Sequence, residues 1–332
     1  MRDEKLFQDY TAHRPGIAAL LLRDGQAVYS HTSGMADLER HIPATLASNY
    51  RLASVSKQFT AMAILLLVAD GRLSLDDRLA SFFAHAPQLW QHITLEQLLS
   101  HTSGLYDYED LIALGTRQQL TTADVLTLIR PCTDGYERPG ACFRYSNTGY
   151  CLLALIVEQL ADMPFAAFLR ERIFVPLGMS ASSAFLVDGP DIPCRAYGYC
   201  YNQQQSSWQL CDQSLTSATL GDGGIYSSVR DLAHWDAALA SGQLLPARLQ
   251  ERMFSPHVIT PSGEAYGLGW YLRLPKIAYH TGETIGFRTA LVRRLDRRLT
   301  AIVLTNRNEA NPLVIADHML NGELRNSAGL VG

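Results

Sequence analysis

Apolar residues fall into two regimes along the chain: short strand-like runs near both ends, and stretches with helical spacing between them. Ile17–Arg23 is a nearly continuous apolar run, Asp24-Gly25 is a hairpin signal, and residues 26–32 return as a second strand that Gly34 ends. Ahead of that hairpin, residues 1–12 read as a short helix. Residues 58–69 are apolar nearly all round, which predicts a helix buried at the centre of a large protein and closed by Gly71. It is shorter than the roughly 20 apolar residues a bilayer requires. Residues 94–99 and 122–129 predict short helices capped by Thr94 and Thr122. Helices follow over 149–160 and 164–173, the second running out at Pro176-Leu177-Gly178-Met179. Residues 190–215, rich in Tyr, Gln and Cys, read as irregular or as short strands. Gly221-Asp222-Gly223-Gly224 is a turn before a helix over 229–239 capped by Ser228. Strands resume at 267–274, 277–281, 289–294 and Leu299–Thr305, and 313–320 is a closing helix. The pattern describes an α/β chain of the α+β kind, one sheet carrying a helical insertion.

Composition narrows the function classes. The 332 residues are 47% hydrophobic and 18% charged, which is a globular protein with a large core, in one large or two smaller domains. There are no repeats, low-complexity tracts or obvious linkers. A net charge of -4 and a pI near 6.2 point to neither nucleic acid nor an anionic membrane surface. The chain opens Met1-Arg2-Asp3-Glu4-Lys5, and the apolar run at 17–22 is too short for a signal h-region. As written, the expected location is cytoplasmic; a chain trimmed of a signal would be periplasmic. None of the six cysteines forms Cys-x-x-Cys, so the expectation is buried thiols, not a metal or disulfide framework.

The chemistry concentrates where the central helix begins. Ser54 and Lys57 are three residues apart, so a helix starting at Ser54 brings them onto one face. A serine at a helix N-terminus has free backbone N–H groups beside it, which suit a nucleophile whose product is an oxyanion. A lysine whose pKa is lowered by burial can take the hydroxyl proton. Lysine is scarce here, occurring only at Lys5, Lys57 and Lys276. Ser-x-x-Lys alone is nonetheless a weak pattern. Two further patterns raise its weight. Tyr145-Ser146-Asn147 precedes the 149–160 helix, and in an extended segment residues two apart face the same way. The plain alternative makes Asn147 that helix's N-cap and Tyr145 a core residue. His280-Thr281-Gly282 ends a strand, and Gly282 allows a substrate backbone to approach; the plain alternative is a hairpin turn. His31-Thr32-Ser33-Gly34 and His101-Thr102-Ser103-Gly104 look similar and act as decoys.

Ser-x-x-Lys, Tyr-x-Asn and His-Thr-Gly, in that order, resemble the serine β-lactamases and D-alanyl-D-alanine carboxypeptidases of the penicillin-binding superfamily. The resemblance is strongest to class C β-lactamases and their peptidase and esterase relatives. Residues 71–77, 98–105, 145–150, 176–179 and 221–231 match as well, so it covers nearly the whole chain. It implies one catalytic domain over residues 1–332. Its antiparallel sheet region (about 1–60 and 215–332) is flanked by helices and packs on a mainly helical region (about 61–214), with the site between. The implied activity is that of a serine hydrolase working through an acyl-enzyme on a D-alanyl peptide, β-lactam or ester. Ser54 is the implied nucleophile. Lys57 and Tyr145 share the proton work, and which of them is the base stays open. Asn147, His280, Thr281 and Gly282 bind substrate, and the N–H groups of Ser54 and Glu283 form the oxyanion hole. Class C enzymes usually carry Lys-Thr-Gly in the third motif, so His280 points away from strong cephalosporinase activity. Glu283, with the acidic loop 107–110, is expected to disfavour substrates with a carboxylate near the scissile bond, unless it faces solvent or pairs with Arg288. No cofactor or metal is implied, and the expected partner is a small-molecule substrate. The rival readings are a β-lactam sensor that is acylated without turnover and an assembly protein without chemistry.

Overall fold

A computed structural model describes residues 6–322. Eight strands form one antiparallel sheet: β1 (Ile17–Arg23), β2 (Gln26–Ser33), β3 (Val258–Ile259), β4 (Ala265–Tyr266), β5 (Tyr271–Arg273), β6 (Ile277–Thr284), β7 (Phe287–Arg294) and β8 (Leu299–Thr305). Their spatial order is β3-β4-β5-β6-β7-β8-β1-β2. The N-terminal hairpin therefore adds onto the C-terminal strands through β1 and β8, with Ile17 opposite Thr305 and Arg23 opposite Leu299. Beside them lie helices α1 (Lys57–Ala69), α2 (Asn147–Ala161), α3 (Val229–Ser241) and α4 (Pro312–Leu320).

The sheet is covered on both faces, which explains why β1 is an apolar run and not an alternating one. Ala18, Leu20, Leu22, Leu291, Ile302 and Leu304 join the large core that contains α1. Their neighbours Ile17, Ala19, Leu21, Ala290, Val292, Ala301 and Val303 pack with Ile315, Ala316 and Met319 of α4 on the other face. Helix α1 is buried from Lys57 through Leu67, as its all-round apolar pattern requires. Gly71 lies one residue past the Asp70 cap, at φ +70°. There its N–H reaches Val68 O at 3.0 Å while Arg72 N–H reaches Leu67 O at 2.9 Å, a Schellman closure.

Several local expectations need correction. Thr121, not Thr122, caps the Thr122–Ile129 helix, forming a capping box with Asp124. Residues 267–274 are not one strand: β4 ends at Tyr266, β5 starts at Tyr271, and Gly269 turns between them at φ +79°. The 164–173 helix is α-helical only over Phe165–Leu169 and continues as a π turn over Arg170–Phe174. Residues 1–5 of the expected N-terminal helix lie outside the described residues, and the helical part seen is brief. All six cysteines are free, but only Cys151 is buried. No single helix among the described residues is long and apolar enough to cross a membrane.

Candidate active site

Ser54 stands in a 3-10 turn, Ala53–Ser56, that runs into α1 at Lys57, so the α-helix starts three residues later than expected. The correction helps the pair meet, because positions i and i+3 eclipse in a 3-10 turn. The short strand Tyr50–Arg51 pairs with Ile225–Ser227 and delivers the chain to this turn. Ala53 is held at φ +49°, a left-handed conformation costing a non-glycine residue about 1–2 kcal/mol. Leu52 carbonyl accepts from Thr289 Oγ1 at 2.8 Å, and Leu52 N–H bonds Ile225 O at 2.8 Å, so the strain is clamped from both sides. The first bond inside the turn is Val55 N–H to Leu52 O, which leaves Ser54 N–H ahead of it as a leading donor the turn does not use.

Lys57 is fully buried and uses three donor directions: Ser54 Oγ at 3.0 Å, Asn147 Oδ1 at 2.8 Å and Asp222 O at 2.8 Å. Burial holds its pKa down, against the opposing pull of the Asp222, Asp107 and Glu109 carboxylates. Losing one proton leaves an amine with two donors and one lone pair. The two carbonyl oxygens can only accept, so the lone pair falls to Ser54, the one partner with a proton to give. Burial raises the Tyr145 phenol pKa against the lowering influence of the neighbouring Ser54 hydroxyl, keeping it protonated at rest. Lys57 Nζ lies 4.9 Å from the centre of the Tyr145 ring.

The Tyr145-Ser146-Asn147 segment is fixed from outside. Ser146, not Asn147, caps α2 through Gly149 N–H, and the helix starts at Asn147 instead of near Gly149. Asn147 is thereby freed to place Oδ1 on Lys57 and Nδ2 on Glu109 Oε1 at 3.1 Å. Its backbone N–H donates to Asp107 Oδ2 at 2.7 Å. His101, set aside above as a decoy, supports the segment. Its ring stacks on Tyr145 with centroids 4.2 Å apart, and Nδ1 accepts Ser146 N–H at 3.1 Å. Burial keeps this imidazole neutral, so its proton is on Nε2. Its signal lay in the matching stretch 98–105, but the stacking is tertiary and no spacing reveals it.

The third motif is partly reassigned. Strand β6 runs on to Thr284, so His280-Thr281-Gly282 lies inside the strand and not at its end. His280 is buried; Nδ1 donates to Thr281 O at 2.6 Å, so Nε2 accepts from Tyr266 Oη at 3.2 Å. Burial and the nearby Lys57 lower its pKa to about 3, and the ring is neutral at ordinary pH. Gly282 leaves room for the chain itself: a Cβ there would sit 2.0 Å from Leu52 O and 3.1 Å from Ala53 Cβ. Thr281 is half-buried beside it. The Glu283 carboxylate does not act on the site as a free charge, since it pairs with Arg288 at 2.7 Å, directly opposite on β7, and is 75% exposed. The acidic loop does face the site: Asp107 and Glu109 reach Asn147. Loss of hydration, then the Asp107 and Asp222 charges, push Glu109 up to about 7.

The Beta-lactamase family model matches residues 4–325. The chain is 32% identical to penicillin-binding protein 4* of Bacillus subtilis, over 94% of this chain and 73% of that protein. It spans under two thirds of other curated relatives, 62% to 65% of their length. The octameric penicillin-binding protein homologue from Pyrococcus abyssi superposes with a TM-score of 0.84 at 26% identity, covering 96% of this chain and 75% of that one. The D-amino acid amidase from Ochrobactrum anthropi SV3, complexed with L-phenylalanine amide, gives 0.79 at 25% identity, covering 92% and 88%. The chain therefore belongs to the Beta-lactamase family and is a serine hydrolase of that fold.

Proposed function

We propose that the protein hydrolyses small amides or esters through an acyl-enzyme on Ser54, with a preference for substrates that carry a free amine and no carboxylate near the scissile bond. The observation that carries the first part is the buried Lys57 amine 3.0 Å from Ser54 Oγ. Ser54 attacks the carbonyl carbon while its proton passes into the Lys57–Tyr145 pair. The N–H groups of Ser54 and Glu283 hold the oxyanion. Tyr145 then protonates the leaving amine or alkoxide, and activates the water that releases the acyl group. The preference rests on charge. The third motif offers no cation, because His280 is neutral with both nitrogens engaged and Arg288 is paired with Glu283. Across the site, Asp107 and Glu109 present carboxylates. This favours D-aminoacyl amides and esters over β-lactams and carboxy-terminal D-alanyl peptides; the amidase likeness is in keeping with it.

Matched D-alanyl amides and esters, with and without the amine and with and without the carboxylate, test this reading when followed past one equivalent. A steady phase, fastest for the free-amine member, is the expected outcome. A burst that stops at one equivalent would identify a sensor instead. Glu109→Gln is expected to lower the amine selectivity in kcat/KM about fivefold, the worth of a solvent-screened ion pair near 1 kcal/mol. Selectivity in the wild type should be lost as pH falls through about 7, where Glu109 takes up its proton. It should also fade above about 8, where a substrate α-amine loses its own.

A further inference from the structure

Below Lys57 lies a buried carboxylate that the mechanism above does not use. Asp222 is 7% exposed. Its Oδ2 accepts from Tyr108 Oη at 3.1 Å and lies 3.3 Å from Thr219 Oγ1, whose single proton has a shorter acceptor in Thr216 O at 2.9 Å; Oδ1 has no hydrogen-bond partner, and the buried Cys151 thiol is a neighbour of the carboxylate. Its backbone carbonyl holds Lys57 Nζ at 2.8 Å. Burying a carboxylate is costly, and an asparagine oxygen would meet the Tyr108 hydroxyl without that penalty. The charge itself is therefore the feature to explain, and its position beside the base supplies a reason.

We infer that Asp222 is a positioning residue: its carbonyl orients Lys57, and its buried carboxylate sets the proton affinity of the Lys57–Tyr145 pair, and with it the pH at which Ser54 becomes reactive. The inference rests on the reading that this pair takes the Ser54 proton. Burial alone would make the amine a weak base, and a nearby negative charge restores part of its strength. The other groups facing Lys57 divide by element. The 101–109 loop brings neutral His101 with Asp107 and Glu109, the N-terminal end of α2 brings Tyr145, Tyr150 and Cys151, and β6 brings neutral His280. Asp107 is half-buried and Glu109 exposed, so solvent screens both more than it screens Asp222. The Asp222 charge also raises the Tyr145 phenol. The direction of the effect is thus the same whichever of the two is the base.

Asp222→Asn and Asp222→Ala remove the charge and keep the carbonyl, and the alanine serves where a buried amide does not fold. The readout is kcat/KM against pH on an uncharged ester, with fluorophosphonate labelling of Ser54 over the same range and a thermal melt as the folding control. The acid limb is expected to move down by about one pH unit, making the variant about tenfold faster than wild type relative to its own plateau below the limb, while the plateau falls. A purely structural role for Asp222 would lower the rate at all pH values and leave the limb in place. That result in a folded variant, with Lys57→Ala inactive in parallel, overturns the inference alone. Near-wild-type turnover by Lys57→Ala would overturn the parent reading instead.

Discussion

Lys57→Ala is expected to lower kcat/KM by about ten-thousand-fold or more, and Tyr145→Phe combined with it should cost little further. The two side chains converge on one hydroxyl, with Lys57 at 3.0 Å from Ser54 Oγ and the Tyr145 phenol influenced by the same Ser54. Groups that serve a single proton path do not contribute separately, so removing either disables the path. Alanine also leaves Asn147 Oδ1 and Asp222 O without their donor, at a cost of about 1–3 kcal/mol each where they stay dry. Lys57→Met keeps the volume and separates loss of chemistry from loss of fold. Single-turnover acylation of Ser54, with a thermal melt alongside, is the measurement. Additive losses would show that the two residues act on different steps. Esters carry a better leaving group, so Tyr145→Phe should be less damaging on an ester than on an amide.

Gly282→Ala is expected to lower kcat/KM about a hundredfold with an intact substrate pocket. The added Cβ would overlap Leu52 O at 2.0 Å and Thr289 Oγ1 at 2.3 Å. Thr289 Oγ1 and Leu52 O are the bond that clamps the turn before Ser54, so the turn has to move. A displacement of about 1 Å at a reacting group is enough for a loss of this size. Overpacking should cost stability by about 1–3 kcal/mol as well. Acylation rates and melting temperatures on the same samples check both parts. A variant with lowered stability and unchanged acylation would show that the turn tolerates the shift.

The sequence was most informative where a structure is set by its neighbours along the chain. Ser228 caps α3 and Thr94 forms its capping box with Gln97, because cap chemistry spans three residues. The buried helix α1 followed from composition, since an all-round apolar segment has nowhere else to go. Tertiary features were not legible in that way. Tyr50–Arg51 is a two-residue strand held by the three-residue strand Ile225–Ser227, which itself pairs on its other side with Ser183–Ala184, and these distant partners aim Ser54. The helix Ala247–Met253 has one fully buried side chain, Met253, and too little apolar pattern to announce itself. Gly282 was read as a close approach by substrate; the approach the structure shows is that of the Leu52 carbonyl, from more than two hundred positions away in the chain. His101 and Asp222 looked like a decoy and a turn residue; stacking on Tyr145 and burial under Lys57 are what distinguish them. For Glu283 the sequence left a charge in the site and a pair with Arg288 both open, and the β6–β7 register, which sets the two opposite each other, decides for the pair.

Intact-mass spectrometry of the protein, quenched during turnover of a D-aminoacyl ester and then mapped by peptide, tests the central claim most directly. One acyl group on the wild type, carried by the peptide containing Ser54 and absent from Ser54→Ala, is the expected result. An acyl group on another residue, such as Ser56 or Ser146, or unimpaired turnover by Ser54→Ala, would contradict the account.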